Sequence, residues 1–337
     1  MATTKPYLQY GIAELAKRTD PDGTTATIAN VLIEDNDIVR DAIWQPSNDM
    51  WGHKTTRAIK LPTGTWRTLN SGVSIEAPKT EEVWERIGLL ESFCETDVEF
   101  IDNQTDPTGA RMQEARMFIE GMGQTLAKTM IYGSTAGSST AQGAEEFQGL
   151  ATRMGSLDTD GNILNAGGSG TDTTSIFIVQ WAPERVFMVY PKNSAPNVGI
   201  THQDMGINVV TDVTTAVGNT SQFRAYRDHF MVKAGMVVRD PRCIARLANI
   251  EVTGSTNLFD EDDLITILNR MPMKGRNAHI YVNTNILTQM EISLKDKSNV
   301  WYTAGRGEGL AGEPMMFFRN NPVRLCDQIS NVEVVVA

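Results

Sequence analysis

Cysteine is scarce and scattered in this chain. Cys94, Cys243 and Cys326 stand far apart, are odd in number and form no C-x-x-C pair. That pattern excludes a zinc-ribbon type of site and a disulfide framework, and reads as three free thiols, partly buried. Histidine is as sparse. His53, His202, His229 and His279 each lack a second histidine at metal-ligand spacing, and none stands in a recognisable catalytic motif. No apolar run approaches the length of a bilayer span, and the opening MATTKPYLQYG has no apolar core of a signal peptide. The expectation is a chain made and kept in a cytosol. Positive charge is short too. Thirty Lys and Arg against 41 Asp and Glu leave a net charge of −11. Such a balance disfavours tight readers of phosphate backbones and binders of anionic membranes.

Three short motifs imitate functional sites without their contexts. Gly133-Ser134-Thr135-Ala136-Gly137 resembles a nucleophile elbow, but its centre is Thr and it follows a helical pattern rather than a strand. Asp158-Thr159-Asp160-Gly161-Asn162 resembles a calcium loop, but Gly stands fourth and Ser169 occupies the twelfth position. Gly167-Gly168-Ser169-Gly170 lacks the Lys-Ser/Thr of a phosphate cradle. The residues therefore assign no catalytic, cofactor-binding or metal-binding position.

What is present is an ordinary globular balance: 337 residues, 41% hydrophobic and 21% charged. The first fifty residues are polar and turn-rich, and read as an arm. Thr55–Leu61 and Thr65–Ile75 are β-compatible, and Pro62-Thr63-Gly64 between them predicts a hairpin. It is polar on both faces, so it has no core of its own and needs a partner surface. Glu81–Phe100 fits helix or strand; strand continuing the hairpin is preferred. Asp106 as cap, Pro107 at the first helical position and Gly133 beyond the end define a long helix, with Ala115, Ile119, Met122, Leu126 and Met130 as its apolar stripe. Further on, Ser175–Val179, Arg185–Tyr190, Phe223–Val238, His279–Val282 and Pro322–Val336 read as strand-rich. Asp263–Met271, behind the acidic run from Asp260, and Asn283–Leu294 read as helices. The order is mixed α+β.

The stretch LPTGTWRTLNSGVS resembles a segment of tailed-bacteriophage major capsid proteins of the short-tailed phage type, and further segments follow in that family's order. Arg111-Met112-Gln113-Glu114-Ala115 opens the long helix and Ile131-Tyr132-Gly133 ends it; Phe147-Gln148-Gly149-Leu150 with Arg153 comes next. Then come Thr174–Val179, Tyr190-Pro191-Lys192, Arg239-Asp240-Pro241-Arg242, Arg246–Ile250, and Pro322-Val323-Arg324 with Asp327-Gln328-Ile329. The resemblance implies the HK97-like capsid fold, an α+β architecture with an N-terminal arm, an extended β-hairpin loop, a peripheral domain built on a long spine helix, and an axial domain. Its implied division is an arm over 1–50, the extended loop and its strands over 51–100, the peripheral domain over 101–149, the axial domain over 150–310 and a return to the peripheral domain over 311–337.

In function, the resemblance implies a non-enzymatic protein that assembles with itself into pentamers and hexamers of an icosahedral shell around packaged double-stranded DNA. Assembly in a bacterial cytoplasm would use a separate scaffolding protein and a portal protein, with a decoration protein as a further partner, no cofactor, no membrane and no sequence-specific DNA contact. The inter-subunit contact would be carried by Trp66, Arg67 and Asn70 of the extended loop. The alternatives are a hydrolase with a distributed, unrecognised active site and, behind it, a small-molecule or glycan-binding module.

Overall fold

The computed structural model describes residues 36–134, 146–157, 161–192, 200–211, 222–296 and 316–337. It begins with a short helix, α1 (Asp37–Asp41), and a strand, β1 (Trp44–Pro46). β2 (Gly52–Lys60) and β3 (Lys79–Arg86) form the hairpin, and β4 (Gly88–Asp97) follows at once. Next come α2 (Val98–Asp102), the long α3 (Pro107–Tyr132) and α4 (Leu150–Arg153). The strands β5 (Ile163–Asn165), β6 (Thr173–Val179), β7 (Val186–Tyr190), β8 (Thr201–Thr211), β9 (Gln222–Val238) and β10 (Ile244–Glu251) occupy the middle of the chain. α5 (Glu261–Arg270), β11 (His279–Val282), α6 (Thr284–Asp296), β12 (Phe317–Phe318) and β13 (Asn321–Leu325) complete it. The described residues fall into two compact units. One draws on Leu89–Thr125 and Pro196–Val232, the other on Glu34–Gly88, Leu126–Ala195 and Lys233–Ala337.

The second unit is built on a six-stranded sheet in the order β12-β13-β11-β6-β10-β5. β6 reads TTSIFIV and is buried at every position, as a central strand covered on both faces must be. Ile176 and Ile178 join Leu247, Leu264, Ile267, Leu268, Ile286 and Met290 in one apolar cluster, so α5 and α6 lie on that face. Both helices start on capping side chains: Asp260 accepts from the Asp262 N–H at 3.0 Å and Asn283 from the Ile286 N–H at 2.9 Å. Glu261, Asp262 and Asp263 place carboxylates in the first turn of α5, where the helix dipole favours them. In the same unit β1 pairs parallel with β7, and β7 antiparallel with the end of β9.

The other unit holds β4, β8, the first part of β9 and the opening turns of α3. Asp106 caps α3, accepting from Gly109 N–H at 3.0 Å. Phe118 stacks on Phe230 at 5.9 Å, and Arg111 reaches Asp228 at 2.9 Å and Asp204 at 3.0 Å across the β8–β9 ladder.

Several expectations are corrected. The hairpin's return strand is not Thr65–Ile75: it begins at Lys79, with Gly52 opposite Arg86 and Lys60 opposite Lys79. Residues 61–78 form no strand. Pro62 and Pro78 offer no N–H to a ladder, and a segment polar on both faces gains nothing by folding back on itself. Strand carries Glu81 only as far as Asp97, and Val98–Asp102 is helical behind an Asp97 cap. In the stripe assigned to α3, Met122, Leu126 and Met130 are buried, but Ile119 is 41% exposed and Glu114 is the buried residue one turn earlier. β8 and β10 have no counterpart in the sequence reading. The motif Arg246–Ile250 is a buried strand whose arginine breaks the apolar pattern. The arm lies outside the described residues up to Asp35; from Asn36 the chain is built into the second unit, with Ile38 fully buried.

Candidate assembly surface

Ala58–Glu82 is exposed without interruption, twenty-five residues at the end of the hairpin. Its apolar side chains have no core: Trp66 is 102%, Leu69 95% and Ile75 100% exposed. A few local bonds shape it. The Thr63 N–H donates to Glu76 Oε2 at 2.8 Å, and Ser71 N–H to the Thr68 carbonyl at 3.2 Å. Asn70 takes φ of 69° in that turn, a conformation Asn tolerates better than most residues. Arg67 Nη1 donates to the Ser71 carbonyl at 3.1 Å and meets no carboxylate. Trp66, Arg67 and Asn70 thus sit together at the tip, in solvent. Exposed Trp, Leu and Ile on one loop have the composition of a contact surface whose other half is another molecule.

The root of the hairpin is the opposite case. Arg153 forks onto Glu85 of β3 with two bonds of 2.7 Å, and also donates to the Met236 carbonyl at 3.1 Å and, through Nε, to the Gln148 carbonyl at 3.3 Å. Both side chains are nearly buried. Arg57 of β2 donates to the Val238 carbonyl at 2.9 Å. Gly52 is required at the first rung: a Cβ there would meet the Trp84 indole at 2.5 Å. The hairpin is therefore held rigidly at its base and left free at its tip. Arg153 belongs to a segment singled out in the sequence only by resemblance, and nothing in its spacing announced Glu85 as its partner.

A second buried network closes the C-terminal segment onto the sheet. Glu333 accepts from Arg246 at 2.9 Å and from the hydroxyls of Tyr132 and Ser175. Arg246 also donates to the Met154 carbonyl at 2.8 Å and lies over the Phe177 ring. Burial, with the Glu333 carboxylate beside it, pushes the Tyr132 phenol well above its ordinary range. Asn249 adds two bonds to the backbone of Val336, at 2.9 and 2.8 Å. These ionisable groups are closed on one another and fasten the chain end.

The remaining reactive side chains also have structural settings. Burial, with Asp240 adding to it, pushes the Cys243 thiol up to about 11, and burial raises Cys94 as well. Such thiols are poor nucleophiles at neutral pH. His53 packs edge-on to Phe187, His202 stacks on Phe230, His229 on Phe93 and His279 on Tyr281. Among the described residues no three His, Cys, Asp or Glu gather as a metal-binding group. Residues 158–160 of the calcium-like loop and the elbow-like segment after Ser134 lie outside the described residues. A cleft of about 380 Å³ beside the hairpin root is lined by Arg57, Trp84, Glu85, Arg153, Asn162 and Pro241. Its Glu85 and Arg153 are bonded to each other. No helix among the described residues is long and apolar enough to cross a membrane.

Over its whole length the chain is similar to a chain of the bacteriophage Epsilon15 structure, at 26% identity, with 99% of both chains covered and a TM-score of 0.69. It also matches the bacteriophage JBD30 capsid, at 13% identity over 97% of this chain and 99% of that one, with a TM-score of 0.47. A further match is the SrpI encapsulin complex of Synechococcus elongatus, at 11% identity over 72% of this chain and 96% of that one, with a TM-score of 0.45. Among curated proteins none matches. The family model of the major capsid protein GP7 matches residues 20–337. The chain belongs to the family of the major capsid protein GP7, and its α+β fold is of the HK97-like capsid type.

Proposed function

We propose that this protein is the shell-forming subunit of a tailed-phage capsid, assembling as pentamers and hexamers into a closed icosahedral particle around packaged double-stranded DNA. The family match over residues 20–337 carries the reading. The coreless, fully exposed tip of the hairpin supports it independently, because repeated heterologous contacts between copies are what close a shell. The extended loop supplies one side of such a contact. Burial of Trp66 there contributes about 2–3 kcal/mol on area grounds. The net charge of −11 suits a container that must not bind its contents. In this reading 1–50 is the arm, 51–100 the extended loop, 101–149 the peripheral domain, 150–310 the axial domain and 311–337 the return.

The protein works without catalysis, cofactor or membrane. It assembles in the host cytoplasm on a separate scaffolding protein, incorporates a portal protein, offers its outer surface to a decoration protein, and ends in the virion. No observation favours the hydrolase reading or the small-molecule-binding one. Co-expression with the scaffolding protein, followed by sedimentation and negative-stain microscopy, tests the proposal: closed particles are expected, and a persistent monomer at high concentration would overturn it.

A further inference from the structure

The charge pattern of the chain says which surface the loop tip would meet. From Lys60 to Lys79 the sequence holds Lys60, Arg67 and Lys79 against Glu76 alone, a cationic stretch in a chain of net charge −11. From Ile87 to Ala110 it holds six carboxylates, at Glu91, Glu95, Asp97, Glu99, Asp102 and Asp106, and no Lys, Arg or His. β4 displays part of that run in an ordered way. Cys94 and Thr96 are buried on one face, while Leu89, Glu91, Phe93 and Glu95 alternate onto the other. There Leu89 and Phe93 are each 44% exposed, which leaves an apolar stripe interleaved with acid.

The neighbouring strand occupies only part of this face. Arg227 pairs with Glu95 at 3.1 Å and lies over the Phe93 ring. His229 stacks on Phe93 at 4.5 Å, yet its Nε2 has no hydrogen-bond partner and stands 3.8 Å from Glu91. Among the described residues Glu91 meets nothing closer. The face therefore offers two apolar side chains with an under-used carboxylate between them. The tip offers Trp66 and Leu69 with Arg67, whose guanidinium has a single backbone partner, between them.

We infer that the outer face of β4, centred on Leu89, Glu91 and Phe93, is the docking surface for the Trp66–Leu69 tip of a second copy of this chain, with Arg67 forking onto Glu91. The inference rests on the reading of the loop as an inter-subunit contact and names its receptor. Apolar burial supplies the affinity and the Arg67–Glu91 pair sets the register, since opposite charge across an interface specifies orientation more than it adds strength.

Charge reversal in assembled particles tests it. Arg67→Glu and Glu91→Arg should each raise the critical concentration for assembly about tenfold, through the like charges they bring together. The double variant Arg67→Glu/Glu91→Arg should recover most of that loss. As a second readout, Leu69→Cys with Phe93→Cys should give disulfide-linked multimers on mild oxidation, whereas Leu69→Cys with Met112→Cys, on α3, should not. The native cysteines are buried and stay silent. If loop variants weaken assembly but the double reversal rescues nothing and the thiol of the Leu69→Cys variant links elsewhere, the receptor is wrong and the loop's inter-subunit role stands. If neither Trp66→Ala nor Arg67→Glu affects assembly, both fall.

Discussion

At the scale of single residues, burial separates the side chains that hold the fold from those that stand in solvent. Arg153 and Glu85 are bonded twice to each other and nearly excluded from solvent. Arg153→Ala leaves the Glu85 carboxylate buried and unpaired, and should cost the isolated subunit about 3 kcal/mol in urea unfolding. Trp66→Ala removes a side chain that touches solvent only, and should leave the same unfolding curve unchanged. Tyr132 gives a pH prediction. Its phenol is held above the ordinary 10.0 by burial and by Glu333, so the folded state keeps a proton that the unfolded state gives up. That contribution is complete below pH 10 and is lost as pH rises further. Stability should fall above about pH 10, and the Tyr132 phenolate should appear in absorbance only as the protein unfolds. Tyr132→Phe should flatten that dependence.

At the scale of elements, the legible parts were those with local signals. α3 starts at Pro107 and ends at Tyr132 because Asp106, Pro107 and Gly133 punctuate it. α5 and β6 were equally plain from an acidic first turn and an unbroken apolar run. The hairpin was legible as coreless, but its register was not, because register is set by which face is buried and neither face is. β10 was missed because Arg246 and Asn249 are satisfied by groups 87 residues away, Glu333 and Val336. Trp66, Arg67 and Asn70 were legible only as the tip of a loop; the partner proposed for them lies in another molecule. The 61–78 segment also yields a prediction. Trypsin should cut free subunits at Arg67, whose surroundings are wholly exposed, and should cut assembled shells there at least tenfold more slowly, read by the appearance of the two fragments. Cleavage at equal rates would place the loop in solvent in the shell as well.

At the scale of the whole molecule, ion pairs such as Arg153–Glu85 and Arg246–Glu333 are buried, while Trp66, Leu69 and Ile75 stand exposed. The shell is expected to be held without covalent links. Lys54 is paired with Glu82 at 3.2 Å, both side chains exposed, and Lys60 is exposed on β2; a solvated carboxylate is a poor acceptor for a lysine proton. Boiled, denatured particles should therefore run as one band near 37.1 kDa; a ladder of multiples would contradict this. The most direct test of the central claim is a cryo-electron microscopy map of particles assembled from this chain. The account predicts a closed icosahedral shell of pentamers and hexamers, with Trp66 of each copy buried against another copy. Open aggregates, or a shell in which the 61–78 segment stands in solvent, would contradict it.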